Sequence, residues 1–462
     1  MNGDEYVGTG TMMDLGETAR AVEGIAHGEA RFSGVTTDSR AICAGDLFVA
    51  LRGERFDGNE YVQEAFRRGA AAALTSRLVE PGTPLPQVVA ADTRIALGRL
   101  AAHWRGRFAM PLVALTGSNG KTTVKEMIAA ILTAHTGSRS ALLATEGNLN
   151  NDIGMPVTLL RLREGHRYAV IEMGMNHAGE IDYLTRIARP TVAVVNNAQR
   201  AHVGILGSVE AIARAKGEIY AGLGPAGVAV VNADDAFAAL WKDLNAARPV
   251  ITFGFGDGAM VSASSSGPQV KFSTPLGDFM VTLKVRGEHN VRNAMAACAA
   301  SLALEVPLAA MQAGLAGFGG VPGRQQRRRG PGGSLVIDDS YNANPESMKA
   351  AAQVLAQERG RKVFVMGDMG ELGDQAAAMH AEIGAFAREA GIDALMALGD
   401  ASRHAVQAFG KGASHFDDVE ALTKAAQREA AAGAAILVKG SRFMRMERIA
   451  DALAGKGDGH AV

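Results

Sequence analysis

The chain has 462 residues, with 47 Lys and Arg against 48 Asp and Glu, a net charge of −1 at neutral pH, and two cysteines. That length exceeds a single compact core and predicts about three domains, and the near-cancelled charge excludes a global electrostatic case for nucleic acid or an anionic membrane surface. Cys43 and Cys298 are too few and too far apart for a disulfide framework or a cysteine-rich zinc site, so a reducing, cytoplasmic setting is expected.

The opening run MNGDEYVGTGTMMDLGETARA carries acids and glycines where a secretory signal has a basic start and an apolar core; it predicts a tail leading into a first helix. The longest weakly polar stretch, residues 294–304, is too short to span a bilayer, so no membrane insertion is expected. From residue 34 to 92 short apolar runs, DLFVAL and QVVAAD, alternate with helical text, YVQEAFRRGAAAAL over 61–74, which predicts a small α/β domain. Its polar cluster, residues 35–40 with Asp38, Ser39 and Arg40, reads best as a turn with a helix cap, the alternative being an anion or nucleotide contact. Helical text, IALGRLAAHWRGRF, then leads to Met110-Pro111 and a boundary near Phe108.

Residues 112–132, LVALTGSNGKTTVKEMIAAIL, carry the most chemistry. An apolar run suited to a buried parallel strand passes through Thr116, Gly117, Ser118, Asn119, Gly120, Lys121, Thr122 and Thr123 into an amphipathic helix. Glycines let backbone N–H groups converge, the helix start adds partial positive charge, Lys121 supplies a point charge and Thr122 a hydroxyl for Mg²⁺. Leu115 stands where the usual spacing has its first glycine, but the strand, loop and helix order still predicts a polyphosphate cradle.

An amide-dense loop at 146–156 precedes a strand at 168–171 that ends on Glu172, a Mg²⁺ candidate at the crevice end of a parallel sheet. The strand at 191–196 runs on towards His202, equally a loop residue or a ligand, and Lys216 reads by composition as a solvated lysine. After a third strand at 228–232 come short β segments over 254–285 and an Ala-rich helix opened by GEHNVRN, where Asn290 and Asn293 read better as a cap than as base contacts. A Gly/Pro-rich linker at 317–323 leads to Arg324 and to Arg327, Arg328 and Arg329. This basic run reads as a solvated loop that could also swing a cation onto a phosphate. The remainder alternates strand and helix in a doubly wound pattern, with polar clusters at 339–345, 367–373 and 439–442 just after strands.

Together TGSNGKTT, the EMG at Glu172, AHVGILGS, RAKGEI, GEHNVRNAMAA and VIDDSYNANPESM resemble the Mur ligase superfamily of ATP-dependent amide-forming enzymes, from about residue 34 to 453. The resemblance implies an α/β fold of three domains: a small N-terminal α/β domain for the UDP-sugar-peptide (1–108), a central P-loop ATPase domain on a mostly parallel sheet (109–320), and a C-terminal Rossmann-like domain (321–462). DDSYNANP, GDMGELG and KGSRFMRME resemble the members that add D-alanyl-D-alanine to UDP-N-acetylmuramoyl-tripeptide in peptidoglycan precursor synthesis, through an acyl phosphate made with ATP. By the same resemblance Gly117 to Thr123 hold the phosphates. Thr122, Glu172, His202 and Lys216 hold Mg²⁺, with Lys216 matching a lysine that is carbamylated in most such ligases, which reverses its reading from composition. Asn290 and Asn293 would lie near adenine, Arg324 would reach the γ-phosphate and Asp339 would bind the ribose. Tyr341, Asn342, Asn344, Ser441 and Arg442 would place dipeptide or nucleotide, while Ser39 and Arg40 would contact the uridine diphosphate. Lys121, Lys216, His202 and Arg324 are thus the expected catalytic set, in a monomer. Asp57-Gly58-Asn59 departs from the family's frequent DGH. A sister ligase adding a diamino acid, a folate-type glutamate ligase and a nucleotide-binding scaffold without turnover remain alternatives.

Overall fold

A computed structural model of the chain describes residues 10–79, 85–266 and 269–454, so most of the expected N-terminal tail lies outside the described residues. Asp14 caps the first helix, Leu15–Val22, by accepting from Glu17 N at 2.8 Å. The first sheet runs in the order Ile25–His27, Gln87–Val89, Ala72–Thr75, Asp46–Val49, Gly34–Thr36, parallel except for the first pair. The text over 61–74 is not one helix: Val62–Arg67 is helical and Ala72–Thr75 is a strand. Gly69, at φ +105°, turns the chain between them through a conformation that disfavours most side chains, and burial between two strands overrides alanine's helix preference. The cap expected at 38–40 is likewise only a turn, with Asp38 Oδ1 accepting from Arg40 N at 2.9 Å and a strand, not a helix, following.

Helix Thr93–Arg105, capped by Asp92, ties this unit to the next. Trp104 Nε1 donates to Leu162 O at 3.1 Å, and Arg189 Nη2 donates back to Ala102 O at 2.9 Å. The central sheet is wholly parallel, in the order Val250–Phe253, Val228–Asn232, Val192–Val195, Leu112–Thr116, Tyr168–Glu172, Leu142–Ala144. Its strands read as continuous apolar runs because both faces are covered. Helices Lys121–Thr136, Glu288–Ala303 and Leu308–Gly317 pack with a small antiparallel sheet into the core on one of those faces. The order of strands reverses at Leu112–Thr116, so the chain leaving that strand emerges where parallel sheets open a crevice.

The third sheet runs Gln326–Arg329, Leu335–Asp339, Ala435–Lys439, Lys362–Gly367, Ala394–Leu398, Ala413–Phe416, parallel except at its first edge. That edge overturns the solvated-loop reading of 327–329: the arginines form the antiparallel strand, and alternation sends Arg328 inward. Arg328 is buried against Asp338 and Asp451, while Arg327 makes a two-pronged pair with Glu358 at 2.8 and 3.0 Å. Among the described residues no helix is long and apolar enough to cross a membrane.

Candidate active site

The crevice ends of the central and third sheets face each other across a cleft of about 1660 Å³. On the central side the phosphate loop is held almost wholly by amides. Asn119 N donates to Asn197 Oδ1 at 2.9 Å, Ser118 N to Asn197 O at 3.0 Å, and Gln199 N to Ser118 Oγ at 2.9 Å. Gly120 sits at φ +80°, and a Cβ there would lie 2.7 Å from Asn196 Nδ2. Lys121 folds back to donate to Gly117 O at 2.7 Å. Burial lowers its ammonium pKa, with Glu172 opposing and Arg324 adding to the shift.

Thr122 Oγ1 donates to Glu172 Oε2 at 2.9 Å and Asn150 Nδ2 to Glu172 Oε1 at 2.8 Å, so both carboxylate oxygens are aimed by the loops around them. Beneath, Glu172 N donates to Thr145 Oγ1 at 2.9 Å and the buried Lys125 donates to Thr145 O. Lys216 is 1 % exposed, the opposite of the solvated lysine that composition suggests. Burial, and then Lys121, push its pKa well below the ordinary lysine value. No hydrogen bond or ion pair among the described residues engages its Nζ. His202 adopts a left-handed backbone, φ 64°, and its Nδ1 lies 2.6 Å from Glu371 Oε2 of the third unit. No three His, Cys, Asp or Glu side chains gather as a metal cage among the described residues. The Thr122 hydroxyl and the Glu172 carboxylate beside a phosphate loop nevertheless fit Mg²⁺, a hard cation that takes few protein oxygens and completes its shell with phosphates and water.

Across the cleft the Arg324 guanidinium stands 4.1 Å and that of Arg442 5.8 Å from the Tyr341 ring centre. Asp339 pairs with Lys439 Nζ at 2.7 Å and accepts from Gln325 N at 3.2 Å. Burial raises its carboxyl pKa against the pull of Lys439. Ser441 Oγ accepts from Gly370 N at 2.8 Å, and Asn342 Oδ1 accepts from Ala343 N at 2.9 Å. Asn344 caps helix Pro345–Ala356 and forms a reciprocal amide pair with Asn119: Asn344 Nδ2 donates at 2.8 Å and Asn119 Nδ2 returns at 3.2 Å.

Asn290 and Asn293 line the cleft but do not cap their helix. Gly287 holds the cap position, Asn290 Nδ2 donates back to Arg286 O at 2.7 Å, and Asn293 Oδ1 accepts from Asn196 Nδ2 at 3.0 Å. Thus all the expected nucleotide, metal and C-terminal residues from Ser118 to Arg442 come to this cleft or to the loops that shape it. Ser39 and Arg40 do not line it. Arg40 is exposed on the first unit and pairs with Asp38 through two bonds of 2.9 and 2.8 Å. Asn59, where the family pattern often has histidine, is buried and bridges Asp57 Oδ1 at 2.6 Å to Ser76 Oγ at 2.9 Å. The sequence reading did not single out Asn150, Asn197, Gln199 or Gln325 as site residues, whereas Glu371 and Lys439 fall within the polar clusters at 367–373 and 439–442 expected at the crevice and His289 lies at the helix start weighed as a cap or a base contact. Burial holds His289 neutral, its pKa pushed down to about 4, with Nε2 at 3.1 Å from Gln325 Oε1.

An α/β chain of three units that closes two of them on a phosphate loop with a strand-end carboxylate has the architecture of a nucleotide-using ligase. The chain matches the Mur ligase family, catalytic domain over residues 31–105, the Mur ligase middle domain over 115–301, and the Mur ligase, glutamate ligase domain over 323–442. It belongs to the Mur ligase family. It is 43 % identical to the UDP-N-acetylmuramoyl-tripeptide–D-alanyl-D-alanine ligase of Escherichia coli K12 over 92 % of this chain and 94 % of that protein. The crystal structure of MurF from Acinetobacter baumannii matches with a TM-score of 0.87 at 39 % identity, covering 94 % of this chain and 97 % of that one. MurF ligase of Thermotoga maritima, solved in complex with ADP, matches at 0.80 and 28 % identity, covering 91 % and 96 %.

Proposed function

We propose that this chain joins D-alanyl-D-alanine to UDP-N-acetylmuramoyl-tripeptide at the expense of ATP, a step of peptidoglycan precursor synthesis. The observation that carries the reading is the cleft itself, where phosphate loop, Glu172 and Lys216 lie opposite Arg324, Tyr341 and Asp339. The extent of the likeness to ligases of that name supports it. Residues 1–108 serve the UDP end of the substrate, 109–320 the nucleotide, and 321–462 close over both. Ser39 and Arg40 would meet the diphosphate, since an exposed Asp38–Arg40 pair exchanges partners at small cost.

In the reaction a peptide carboxylate oxygen attacks the γ-phosphorus, ADP leaves and an acyl phosphate forms. The dipeptide amine then attacks the carbonyl carbon, phosphate departs and the amine proton is lost. Two anions must meet first, so cations decide the rate. Lys121 and the loop amides hold the phosphates, and Arg324 neutralises them from the opposite wall. Asn290 and Asn293 face adenine, and Asp339 the ribose. Tyr341, Asn342, Asn344, Ser441 and Arg442 orient the dipeptide or the nucleotide. Thr122, Glu172, His202 and Lys216 would hold Mg²⁺, which would spread the developing negative charge. Burial lowers the Lys216 pKa and so favours the free amine, the form that can add to CO₂ and, losing a proton, become a carbamate with oxygen donors. The test is phosphate release with Mg·ATP and UDP-muramyl-tripeptide, with and without D-alanyl-D-alanine. Release that requires the dipeptide and yields the pentapeptide product is expected. Release driven instead by a diamino acid on the UDP-muramyl-dipeptide would overturn the assignment.

A further inference from the structure

The loop after strand Val192–Val195 does two things within two residues. Gln199 is clipped to the phosphate loop: its N donates to Ser118 Oγ at 2.9 Å, its carbonyl accepts from that hydroxyl at 3.0 Å, and its Oε1 accepts from Asn119 Nδ2 at 2.6 Å. Arg200, the next residue, reaches out of the central unit into the third. Its Nε donates to Glu346 Oε1 at 2.6 Å, and its Nη1 and Nη2 donate to the two oxygens of Glu382 at 2.8 and 2.9 Å. Glu346 lies in the first turn of helix Pro345–Ala356 and Glu382 on helix Ala376–Glu389, and Lys349 also pairs with Glu382. The Arg200 and Glu346 side chains are each 26 % exposed and that of Glu382 33 %, so this is a half-buried network, unlike a lone surface pair.

We infer that Arg200 is a positioning residue: it sets the third unit over the phosphate loop and so fixes Asn344, Tyr341 and Arg324 against the nucleotide. Guanidinium is suited to this because its planar fork holds two carboxylates in fixed directions, whereas a lysine ammonium does not. The helix that Arg200 anchors through Glu346 begins at Asn344, whose amide pairs with Asn119 of the same loop. Central loop and third unit are therefore joined at two points on one helix turn. The effect on amide formation rests on the reaction proposed above; the effect on the placement of the third unit does not.

The experiment uses the full chain as wild type, R200M, E382Q and the double variant. Small-angle scattering without nucleotide gives the radius of gyration, thermal melting the global stability, and steady-state assay the kcat and KM for each substrate. R200M and E382Q are each expected to enlarge the particle, the double variant no further than R200M, because coupled partners are not additive. KM for the dipeptide is expected to rise about tenfold in R200M with little change in melting midpoint. A radius unchanged in R200M, or additive opening in the double variant, overturns the inference whatever the rates do. Expanded variants of a wild type that forms no amide product would leave the positioning role standing and remove the proposed reaction.

Discussion

Replacing Gly120 by alanine measures how far the phosphate loop depends on one backbone conformation. The residue sits at φ +80°, ψ −4°, which costs an L side chain about 1–2 kcal/mol. The new methyl would also enter the space between Asn196 and Asn293, 2.7 Å from Asn196 Nδ2 and closer to Asn293 Oδ1, where those side chains share a hydrogen bond of 3.0 Å. Losing that bond adds about 0.5–1.5 kcal/mol. The expected destabilisation is about 1.5–3.5 kcal/mol, read by denaturant unfolding at unchanged slope. The same strain opposes the curl that aims the loop amides at phosphate, so ADP affinity should fall roughly tenfold or more, since each 1.4 kcal/mol is about a factor of ten. Stability within about 0.5 kcal/mol of wild type together with unchanged ADP affinity would refute the reasoning.

Lys216→Ala should abolish most amide formation, and added bicarbonate should not restore it; near-normal turnover would remove Lys216 from the mechanism. Asn59→Ala strips a buried side chain of its bonds to Asp57 and Ser76 and orphans Ser76 N, so calorimetry should report a loss of about 1–3 kcal/mol; an unchanged midpoint would show that the turn closes without it. His380 is fully buried, its Nε2 accepting from Met369 N at 2.9 Å and its Nδ1 at 2.7 Å from Ala376 O, which fixes it neutral. Burial lowers its pKa below 6.5, so the unfolded chain binds the proton more readily and the stability of the neutral form is lost as pH falls below about 6.5. Melting curves should show that fall in the wild type and a shallower one in His380→Gln, with His289, of the same sign and held at about 4, supplying the remainder; identical slopes would exclude His380.

Much of the site was legible because a parallel sheet gathers chemistry at one end of its strands. Glu172, Asp339 and the cluster at 439–442 follow runs of apolar residues, and an apolar run ending in a carboxylate or lysine can be read without coordinates. Composition failed where burial contradicts polarity. Lys216 and Arg328 are charged residues in polar text, yet one is buried at the cleft floor and the other points inward from an edge strand against Asp338 and Asp451. Nothing local distinguishes such residues from solvated ones, since what tolerates the charge lies elsewhere in the chain: in the first case a cleft, in the second an aspartate more than a hundred positions on.

The same logic explains why the contacts between units were invisible. Asn119 and Asn344 are 225 residues apart and each has a complete local explanation, one as a loop amide and the other as a helix cap with Pro345 and Ser347. A residue already accounted for by its neighbours gives no hint of a second partner. Arg200 is the converse, with no local partner to explain it, and it stands just before the AHVGILGS segment, outside every motif that the sequence offers. A cap that also reaches a phosphate loop, and an arginine that answers to two helices, make the nucleotide site a property of how two sheets dock. That is why closure, rather than the loop sequence alone, should determine turnover here.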